Sequence, residues 1–367
     1  MLPPLRSLLA ALAAMATLPA AAQTELPLER IKLPPGFAIE LVARVDGARA
    51  MAFGSGGTLF VGTRGGSVHA VTLQDGGAAR VRTIARGLRD PSGVAFRDGA
   101  LYVSAVSRIL RLPDIERRLD DPPAPVLVTD RYPGDAHHGR KFIAFGPDGK
   151  LYVPIGAPCN VCESKDDRHS VITRINADGS GYEVVARGVR NTVGFDFHPV
   201  TGELWFTDNG RDWLGDDEPP CELNRLAKQG AHFGFPYCHG VALLDPQHGT
   251  GRSCSEFVPP VQPLGAHVAP LGMRFYTGTQ FPPAFRGQVF IAEHGSWNRS
   301  SKVGYRVSLV RIDSTGKALS YEPFAHGWLD GERAWGRPAD VAVGPDGALY
   351  VSDDGAGAVY RIRYRGG

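Results

Sequence analysis

Three polar clusters border short hydrophobic segments and hold the side chains best suited to chemistry. They are the stretches 135–141 (DAHHGRK), 187–191 (RGVRN) and 207–212 (TDNGRD). A neutral histidine accepts a proton readily, because its reference pKa of about 6.5 is close to the working pH of most enzymes. An arginine beside it can bind an anionic group through several N–H donors. Asp208 and Asn209 are equally suited to forming a turn. The clusters therefore indicate a site only if the fold brings them together.

Six copies of a strand–turn–strand unit must position these clusters. Each copy is a hydrophobic run, a turn with Gly or Asp, and a second run of Leu, Phe, Tyr, Trp and Val. The copies begin at Met51, Val94, Ile143, Val193, Met273 and Val341. Repeats of roughly 40–50 residues with several short strands are typical of propeller blades. We therefore predict an all-β fold, a six-bladed β-propeller of four-stranded antiparallel blades. The longer last spacings predict insertions at about 212–272 and 293–305.

The propeller prediction gives the clusters a common location. The first two clusters stand just before the third and fourth units, and the third cluster follows the second run of the fourth unit. In a propeller, the segment that leads into the innermost strand lies at one mouth of the central channel. Neighbouring blades would therefore direct a histidine and an Arg-Asn pair toward the same place.

Strands at the two ends of the chain should close the ring. The alternating segment Phe37 to Val42 lies outside the six units, and Ala358 to Ile362 is the final hydrophobic run. Pairing of these two segments would complete the last blade and remove exposed sheet edges. Residues 33–363 are accordingly predicted to form a single propeller domain.

The first 22 residues have the pattern of a cleaved signal peptide. Arg6 precedes an apolar stretch from Leu8 to Leu18, and small residues at 20–22 suit a cleavage site. The stretch is short for a membrane span of about 20 residues, although a retained N-terminal anchor stays the alternative. We expect a periplasmic or secreted protein without membrane insertion. The formal net charge of +2 gives no bias toward nucleic acid, and we expect no nucleic-acid partner.

Export would permit disulfides among the five cysteines. We expect the pairs Cys159–Cys162 and Cys238–Cys254 with Cys221 free, although spacing alone does not fix the connectivity. A zinc site at the C-N-V-C sequence would need a second pair of ligands, and none is evident. A c-type haem would need a histidine where Glu163 stands.

Several longer stretches resemble the glucose/sorbosone dehydrogenase family, soluble six-bladed propellers that use pyrroloquinoline quinone (PQQ) and calcium. The sequence is most similar to the sorbosone dehydrogenase branch, over about residues 33–363. The stretches that carry the resemblance are HHGRKFIAFGPDGKLYVPIGAPCNVC, RGVRNTVGFDFHPVTGELWFTDNGRDW, HFGFPYCHG, APLGMRFYTG, IAEHGSWNR and GRPADVAVGPDGALYVSDD.

The resemblance implies roles for particular residues. The general base of the family falls on His138, or on His137 if the loop is shifted by one residue. The Arg-Asn pair that meets the quinone falls on Arg190 and Asn191. The calcium ligands of the family are main-chain carbonyls, which correspond to Gly210 and Arg211. Glucose enzymes of the family have proline at the second of these positions.

The resemblance is weaker in the last two blades. Of two family arginines before the final GPDG turn, Arg337 matches one, and Ala339 occupies the place of the other. The quinone-binding lysine of the family has no clear counterpart. His294, Arg299 and Lys302 are the residues near that position that could supply a basic group. Because PQQ carries three carboxylates, these departures bear on its affinity.

The resemblance implies oxidation of a sugar or a sugar-derived aldehyde. The histidine would take a proton from the substrate hydroxyl, and hydride would pass to the quinone, whose carbonyl calcium polarises. Electrons would then leave to an external acceptor, a quinone or a cytochrome. Two alternatives stay open: a calcium-dependent, lactonase-like hydrolase, and a binding propeller that has lost PQQ.

Overall fold

The computed structural model describes residues 25–73 and 79–366 of the 367-residue chain. The predicted signal peptide lies outside the described residues. Six antiparallel sheets of at least four strands each follow one another along the chain, and apart from four short 3₁₀ helices the regular secondary structure of the described residues is all β. The prediction of a six-bladed, all-β propeller is confirmed.

The blades are numbered along the chain, and the strands of each blade are given from the channel outward. Blade 1 contains Ala48–Phe53, Leu59–Thr63, Val68–Thr72 and Arg80–Ala85. Blade 2 contains Val94–Arg97, Ala100–Ala105, Arg108–Leu112 and Val126–Thr129. Blade 3 contains Ala144–Phe145, Leu151–Ile155, Val171–Ile175 and Glu183–Arg187.

The second half of the ring is built in the same way. Blade 4 contains Gly194–Phe197, Leu204–Asp208, Pro220–Leu226 and Gln262–Ala266. Blade 5 contains Pro270–Phe275, Val289–Glu293, Arg306–Ile312 and Ala318–His326. Blade 6 contains Pro338–Val343, Leu349–Asp353, Ala358–Tyr364 and Phe37–Arg44.

Smaller elements decorate the blades. The strand Ala231–His232 pairs parallel with the outer strand of blade 3. The other short strands and the 3₁₀ helices are Cys238–His239, Leu243–Leu244, Leu329–Asp330 and Arg333–Ala334, with the helices Leu28–Arg30, Ile115–Arg117, Cys254–Glu256 and Pro283–Phe285. None of the helices in the described ranges is long and apolar enough to span a bilayer.

The N-terminal strand closes the ring as predicted. Phe37–Arg44 pairs antiparallel with Ala358–Tyr364, in a register that runs from Phe37 opposite Tyr364 to Arg44 opposite Ala358. Blade 6 therefore takes its outermost strand from the beginning of the propeller. Hydrogen bonding across this seam satisfies two strand edges that would otherwise be open.

The repeat in the sequence is explained by packing between blades. The innermost strand of blades 1 to 5 carries a phenylalanine at or near its end, and this ring packs against an aromatic residue in the second strand of the preceding blade. The ring centroids lie 4.9–5.7 Å apart in the pairs Phe53–Tyr350, Phe96–Phe60, Phe145–Tyr102, Phe197–Tyr152 and Phe275–Trp205. Such contacts add to the burial of aromatic area and fix the spacing of neighbouring sheets.

One predicted boundary needs correction. The predicted insertion at 212–272 contains two regular strands of blade 4, Pro220–Leu226 and Gln262–Ala266. The segment between them, residues 227–261, is the actual insertion. The prediction failed because Pro220–Leu226 carries Glu222, Asn224 and Arg225, so it lacks the hydrophobic pattern of the repeat.

The cysteine pairing is confirmed. Disulfides join Cys159 to Cys162 and Cys238 to Cys254, and Cys221 is free and buried. The second bridge closes the insertion of blade 4, and the first lies in the loop after the second strand of blade 3.

Candidate active site

A cavity of about 370 Å³ opens at the end of the channel where the innermost strands begin. Segments of blades 1, 3, 4, 5 and 6 contribute to its wall. The lining residues are Arg49, Arg64, His137, His138, Arg140, Arg190, Asn191, Asn209, Gly210, Asp212, Cys221, His267, Ala269, Leu271, His294, Trp297 and Arg337. We call this end of the channel the arginine mouth.

His138 is held in one orientation by the loop that follows the second strand of blade 3. Its Nδ1 lies 2.9 Å from the carbonyl oxygen of Ala157, and a carbonyl can only accept a hydrogen bond. The proton of the neutral ring is therefore on Nδ1, and Nε2 carries the free lone pair. A Cβ at Gly156 would come within 2.5 Å of the His138 Cβ, so only glycine leaves room for this ring.

The surroundings keep the His138 ring neutral. Burial, and after it the positive charge of Arg190, lower the pKa of His138 to about 2. The backbone has a φ of 49° at this residue, which is uncommon outside glycine. A strained backbone and a neutral, oriented imidazole in the wall of a cavity are typical of a functional position. His137, the alternative base, lies beside it with a ring separation of 4.0 Å, and its side chain is exposed.

Arg190 is anchored at both its side chain and its backbone. The guanidinium donates from Nε to the Asn160 carbonyl at 2.8 Å and from Nη2 to the Asp212 carboxylate at 3.0 Å. The Asp208 carboxylate accepts from the backbone N–H groups of Arg190 and Asn191, both at 2.7 Å. Asp208, at the end of the second strand of blade 4, thus fixes the segment that leads into the first strand of the same blade.

Asp208 faces a second buried carboxyl group. It is paired with Glu222 across the second and third strands of blade 4. Burial raises the pKa of Asp208 to about 6, although the two N–H donors oppose this shift. Burial and the neighbouring Asp208 raise the pKa of Glu222 to about 8. The raised pKa of Glu222 favours its neutral form, which limits the repulsion between the two carboxyl groups beneath the Arg190 backbone.

Blade 6 repeats the arrangement of blade 4. The Asp353 carboxylate accepts from the backbone N–H of Arg337 at 2.7 Å. The Arg337 side chain donates to the carbonyl oxygens of His294 and Gly295, at 3.1 Å and 2.9 Å. Arg337 is therefore oriented by main-chain carbonyl acceptors at the wall of the cavity.

Asp354 organises the basic groups of blades 1 and 5. Its carboxylate bonds Arg49 at 3.0 Å, Arg64 at 3.5 Å and the Nε2 of His294 at 2.6 Å. Burial lowers the pKa of His294 to about 4, and its neutral ring donates to the carboxylate from Nε2. The hydrogen bond from His294 and the charges of the two arginines outweigh burial and hold the pKa of Asp354 well below its usual range.

Six residues of the site or its supports were not predicted from the sequence: Arg49, Arg64, Arg140, Asn160, Asp212 and Asp354. Asp354 could have been found, because the VSDD motif was part of the resemblance and ends the second strand of blade 6. The others stand outside the three clusters that drew attention, except Arg140 and Asp212. Only the ring arrangement of the blades brings them together.

Not every predicted cofactor residue reaches the cavity. Arg299 and Lys302 do not line it: Arg299 pairs with Asp217 at 2.7 Å, and the Lys302 backbone N–H bonds Glu332 at 3.1 Å. Ala339 is buried deeper in the channel, at a void of about 20 Å³. The predicted residues that do line the cavity are His137, His138, Arg190, Asn191, Gly210, His294 and Arg337.

The arginine mouth fits a ligand with several negative charges. Five arginines line it, and Asp212 is the single carboxylate among the described residues of its wall. Arginine guanidinium groups bind carboxylates through paired N–H donors. A planar acid with several carboxylates would find partners on blades 1, 3, 4 and 6.

The predicted metal ligands lie at the same mouth. Gly210 lines the cavity, while the Arg211 side chain turns away and bonds Asp245 at 2.6 Å. The main-chain oxygens of Gly210 and Arg211 accept no hydrogen bond from any described residue. Within the described ranges no cluster of three or more His, Cys, Asp or Glu side chains could hold a metal ion. A hard cation here would depend on main-chain oxygens and on oxygens of a ligand.

Comparisons with known proteins give a consistent picture. The family model described as TrAA12-like matches residues 31–365. An uncharacterized protein of Borreliella burgdorferi is 35% identical over 349 residues, which cover 91% of each chain. A Hypocrea jecorina protein named pyrroloquinoline quinone-dependent sugar dehydrogenase is 25% identical over 295 residues, 65% of this chain and 69% of its own length. The calcium structure of Trichoderma reesei Carbohydrate-Active Enzymes Family AA12 has a TM-score of 0.81 at 20% identity, and covers 94% of this chain and 99% of its own. This last likeness shows a shared fold.

Proposed function

This chain belongs to the TrAA12-like family, and we propose on that basis that it is a quinoprotein dehydrogenase that oxidises a sugar or a sugar-derived aldehyde with PQQ. The observation that carries the proposal is the convergence of an oriented, neutral imidazole and five arginines on one cavity. A hydrolase with a central metal would need converging acidic side chains, whereas basic groups dominate here.

His138 is the proposed general base. Its Nε2 lone pair is free because Nδ1 donates to Ala157, and its low pKa keeps the ring unprotonated before substrate binds. Nε2 would take the proton of the substrate hydroxyl while the carbon that bears it loses hydride. The Ala157 carbonyl would then stabilise the imidazolium through the Nδ1 proton. For an aldehyde substrate, the hydrated gem-diol would offer the same hydroxyl.

The arginines would hold the cofactor and balance charge. When bound, PQQ supplies the two-electron acceptor of the reaction. Arg190 and Asn191 are the proposed partners of its quinone oxygens, and Arg49, Arg64 and Arg337 are available to its carboxylates. The Arg190 guanidinium is already fixed by Asn160 and Asp212, that of Arg337 by two main-chain carbonyls, and that of Arg49 by Asp354. Little reorganisation would therefore accompany the development of negative charge.

The carbonyl oxygens of Gly210 and Arg211 are the proposed protein ligands of calcium. Oxygen donors of this kind suit Ca²⁺, which takes six to eight oxygen ligands. The remaining ligands would come from the cofactor and water, since side-chain ligands are lacking among the described residues. Calcium would act as a Lewis acid at the same mouth.

We further propose that the mature protein is periplasmic or secreted and delivers electrons to an external quinone or cytochrome. The two disulfides are the supporting observation, because disulfides persist in oxidising compartments.

The test is reconstitution of purified protein with PQQ and calcium, followed by reduction of an artificial dye in the presence of sugars and aldehydes. Dye reduction that requires both additions is the expected result. Ester or lactone cleavage with calcium alone would instead favour the hydrolase. Absence of both activities, together with no spectral change on titration with PQQ, would leave a binding propeller.

A further inference from the structure

Two large aromatic side chains are exposed together at the rim of the arginine mouth. Trp213 is 66% exposed and Trp297 is 65% exposed. Their ring centroids lie 5.4 Å apart with an interplanar angle of 87°, so the two indoles form a corner. Both indole rings leave apolar surface in contact with water. Single exposed apolar residues are common, but two adjacent large ones indicate an interaction site.

The backbone holds this corner in place at an energetic cost. Trp213 has a φ of 71°, a left-handed conformation that bulky residues rarely adopt. Its predecessor Asp212 is fixed by Arg190 and Asn160, whose side chains bond its carboxylate and backbone N–H at 3.0 Å and 2.9 Å. Strain combined with firm anchoring indicates that the position of the ring itself is required.

Trp297 is held equally firmly. The preceding Ser296 exchanges hydrogen bonds with Val303 at 2.9–3.0 Å, and the Tyr305 hydroxyl donates to its carbonyl oxygen at 2.6 Å. Arg299 ties this loop to the loop of Trp213: its Nε donates to the Asp216 carbonyl at 3.1 Å and its Nη2 to the Asp217 carboxylate at 2.7 Å. Arg299, which the sequence suggested as a cofactor-binding residue, thus links the two tryptophan loops.

The corner adjoins the cavity that the substrate of the proposed function would enter. Trp297 also lines the cavity, so whatever rests on the corner is continuous with what enters the arginine mouth. Sugar rings present flat faces of C–H groups that stack on aromatic rings, and hydroxyl edges that bond polar groups. Asp212 and His267, which line the cavity beside the corner, could bond such hydroxyls.

We propose that Trp213 and Trp297 form a subsite for the second ring of a saccharide whose first ring enters the cavity. This inference rests on the proposed function, and it specifies the substrate as a saccharide of two or more rings. The tryptophans act on substrate binding and not on the proton or hydride transfer.

The test compares KM values for D-glucose and for glucose oligosaccharides of two to four rings, using the reconstituted enzyme and an artificial dye. Trp297→Ala and Trp213→Ala should raise the KM for the disaccharide about tenfold, which corresponds to about 1.4 kcal/mol. In Trp213→Ala, whose side chain does not line the cavity, the KM for glucose and both kcat values should change less than about twofold. Trp297→Phe should recover most of the loss, because a smaller aromatic face remains. Leu319→Ala, at an equally exposed position on an outer strand, is the matched control.

Calorimetric titration of the full chain with the same oligosaccharides separates this proposal from the proposed function. If no sugar is oxidised but the tetrasaccharide binds the wild type and not the double alanine variant, the subsite stands and the dehydrogenase proposal fails. If glucose is oxidised and chain length has no influence in any variant, the subsite fails alone. A rise in KM for a c-type cytochrome acceptor, with saccharide KM values unchanged, would also overturn it.

Discussion

The two ends of the propeller channel are built from the same innermost strands but differ completely in chemistry. At the arginine mouth, five arginines and two adjacent histidines line a cavity of about 370 Å³. At the opposite end, which we call the phenylalanine end, a cavity of about 420 Å³ is lined by residues of all six innermost strands, among them one near the end of each strand. These residues are Phe53, Phe96, Phe145, Phe197, Phe275 and Val343.

The difference separates what the repeat requires from what it leaves free. At the phenylalanine end, five of six blades use the same residue, because each ring must pack on the second strand of the preceding blade. At the arginine mouth, the corresponding segments vary: blade 3 brings His138, whereas blades 4 and 6 bring Arg190 and Arg337. Packing does not dictate these residues. The non-repetitive end is therefore available for binding and chemistry.

Replacement of His138 by glutamine should have the largest effect on function. Removal of the proposed base should lower kcat of the reconstituted enzyme by roughly 10²–10⁴-fold, while bound PQQ persists. Steady-state dye reduction measures the loss, and the absorbance of the bound quinone reports occupancy.

His137→Gln is the matched control for this experiment. Its side chain is exposed and lies next to the His138 ring, so a change of less than about fivefold is expected. If the large loss appears in the His137 variant instead, the base is shifted by one residue. Equal retention of activity in both variants would remove the imidazoles from the proton transfer.

Replacement of Phe197 by alanine should lower stability and not activity, the opposite of the result expected for His138. Its ring packs on Tyr152 at 4.9 Å and on Phe195 at 6.0 Å, and it is half-buried, so the free energy of unfolding should fall by about 2–4 kcal/mol. Turnover per folded molecule should be unchanged. Urea denaturation measures the free energy of unfolding. Leu319→Ala, 65% exposed, should change it by less than about 0.5 kcal/mol. Loss of turnover without loss of stability would show that the two ends are coupled.

The repeated strands were predictable from the sequence because packing between blades requires hydrophobic residues at the same positions of each unit. The run–turn–run units mark the first two strands of every blade, and the alternating segment from Phe37 marks the strand that closes the ring. The strand Pro220–Leu226 was missed because the polar residues Glu222, Asn224 and Arg225 interrupt its hydrophobic pattern.

The site was predictable only in part. His138 and Arg190 stand in clusters that are unusual as local sequence, so spacing within the repeat was enough to bring them to one mouth. Arg49 is a single arginine within an ordinary strand, and its role depends on Asp354, which is 305 residues away in the chain. Such a pair has no local signal. Arg299 shows the converse, since its place in the sequence suggested the cofactor and its contacts lie with another loop.

Replacement of Arg337 by methionine should weaken PQQ binding by about 10–100-fold, because a fixed guanidinium at the cavity wall is lost. Titration of the protein with PQQ, followed by absorbance, measures the change. Lys302→Met is the matched control, since Lys302 does not line the cavity and its backbone bonds Glu332. A larger loss in the Lys302 variant would mean that the cofactor extends beyond the described lining.

The smallest expected effect is a difference in acid sensitivity between the two ends. Folded His138 has its pKa lowered to about 2, whereas the unfolded chain protonates this histidine near pH 6.5. Below pH 6.5 the unfolded state therefore binds more protons, and stability falls as the pH falls. Between pH 7 and 5.5, cofactor-free wild type should lose about 1 kcal/mol more free energy of unfolding than His138→Gln.

Phe197→Ala should start from a lower stability and yet keep the wild-type slope of stability against pH, because no histidine is among the lining residues of the phenylalanine end. Urea denaturation at both pH values measures the slopes. Equal slopes in the wild type and the His138 variant would mean that this imidazole takes up a proton without unfolding, and that the arginine mouth does not hold it neutral.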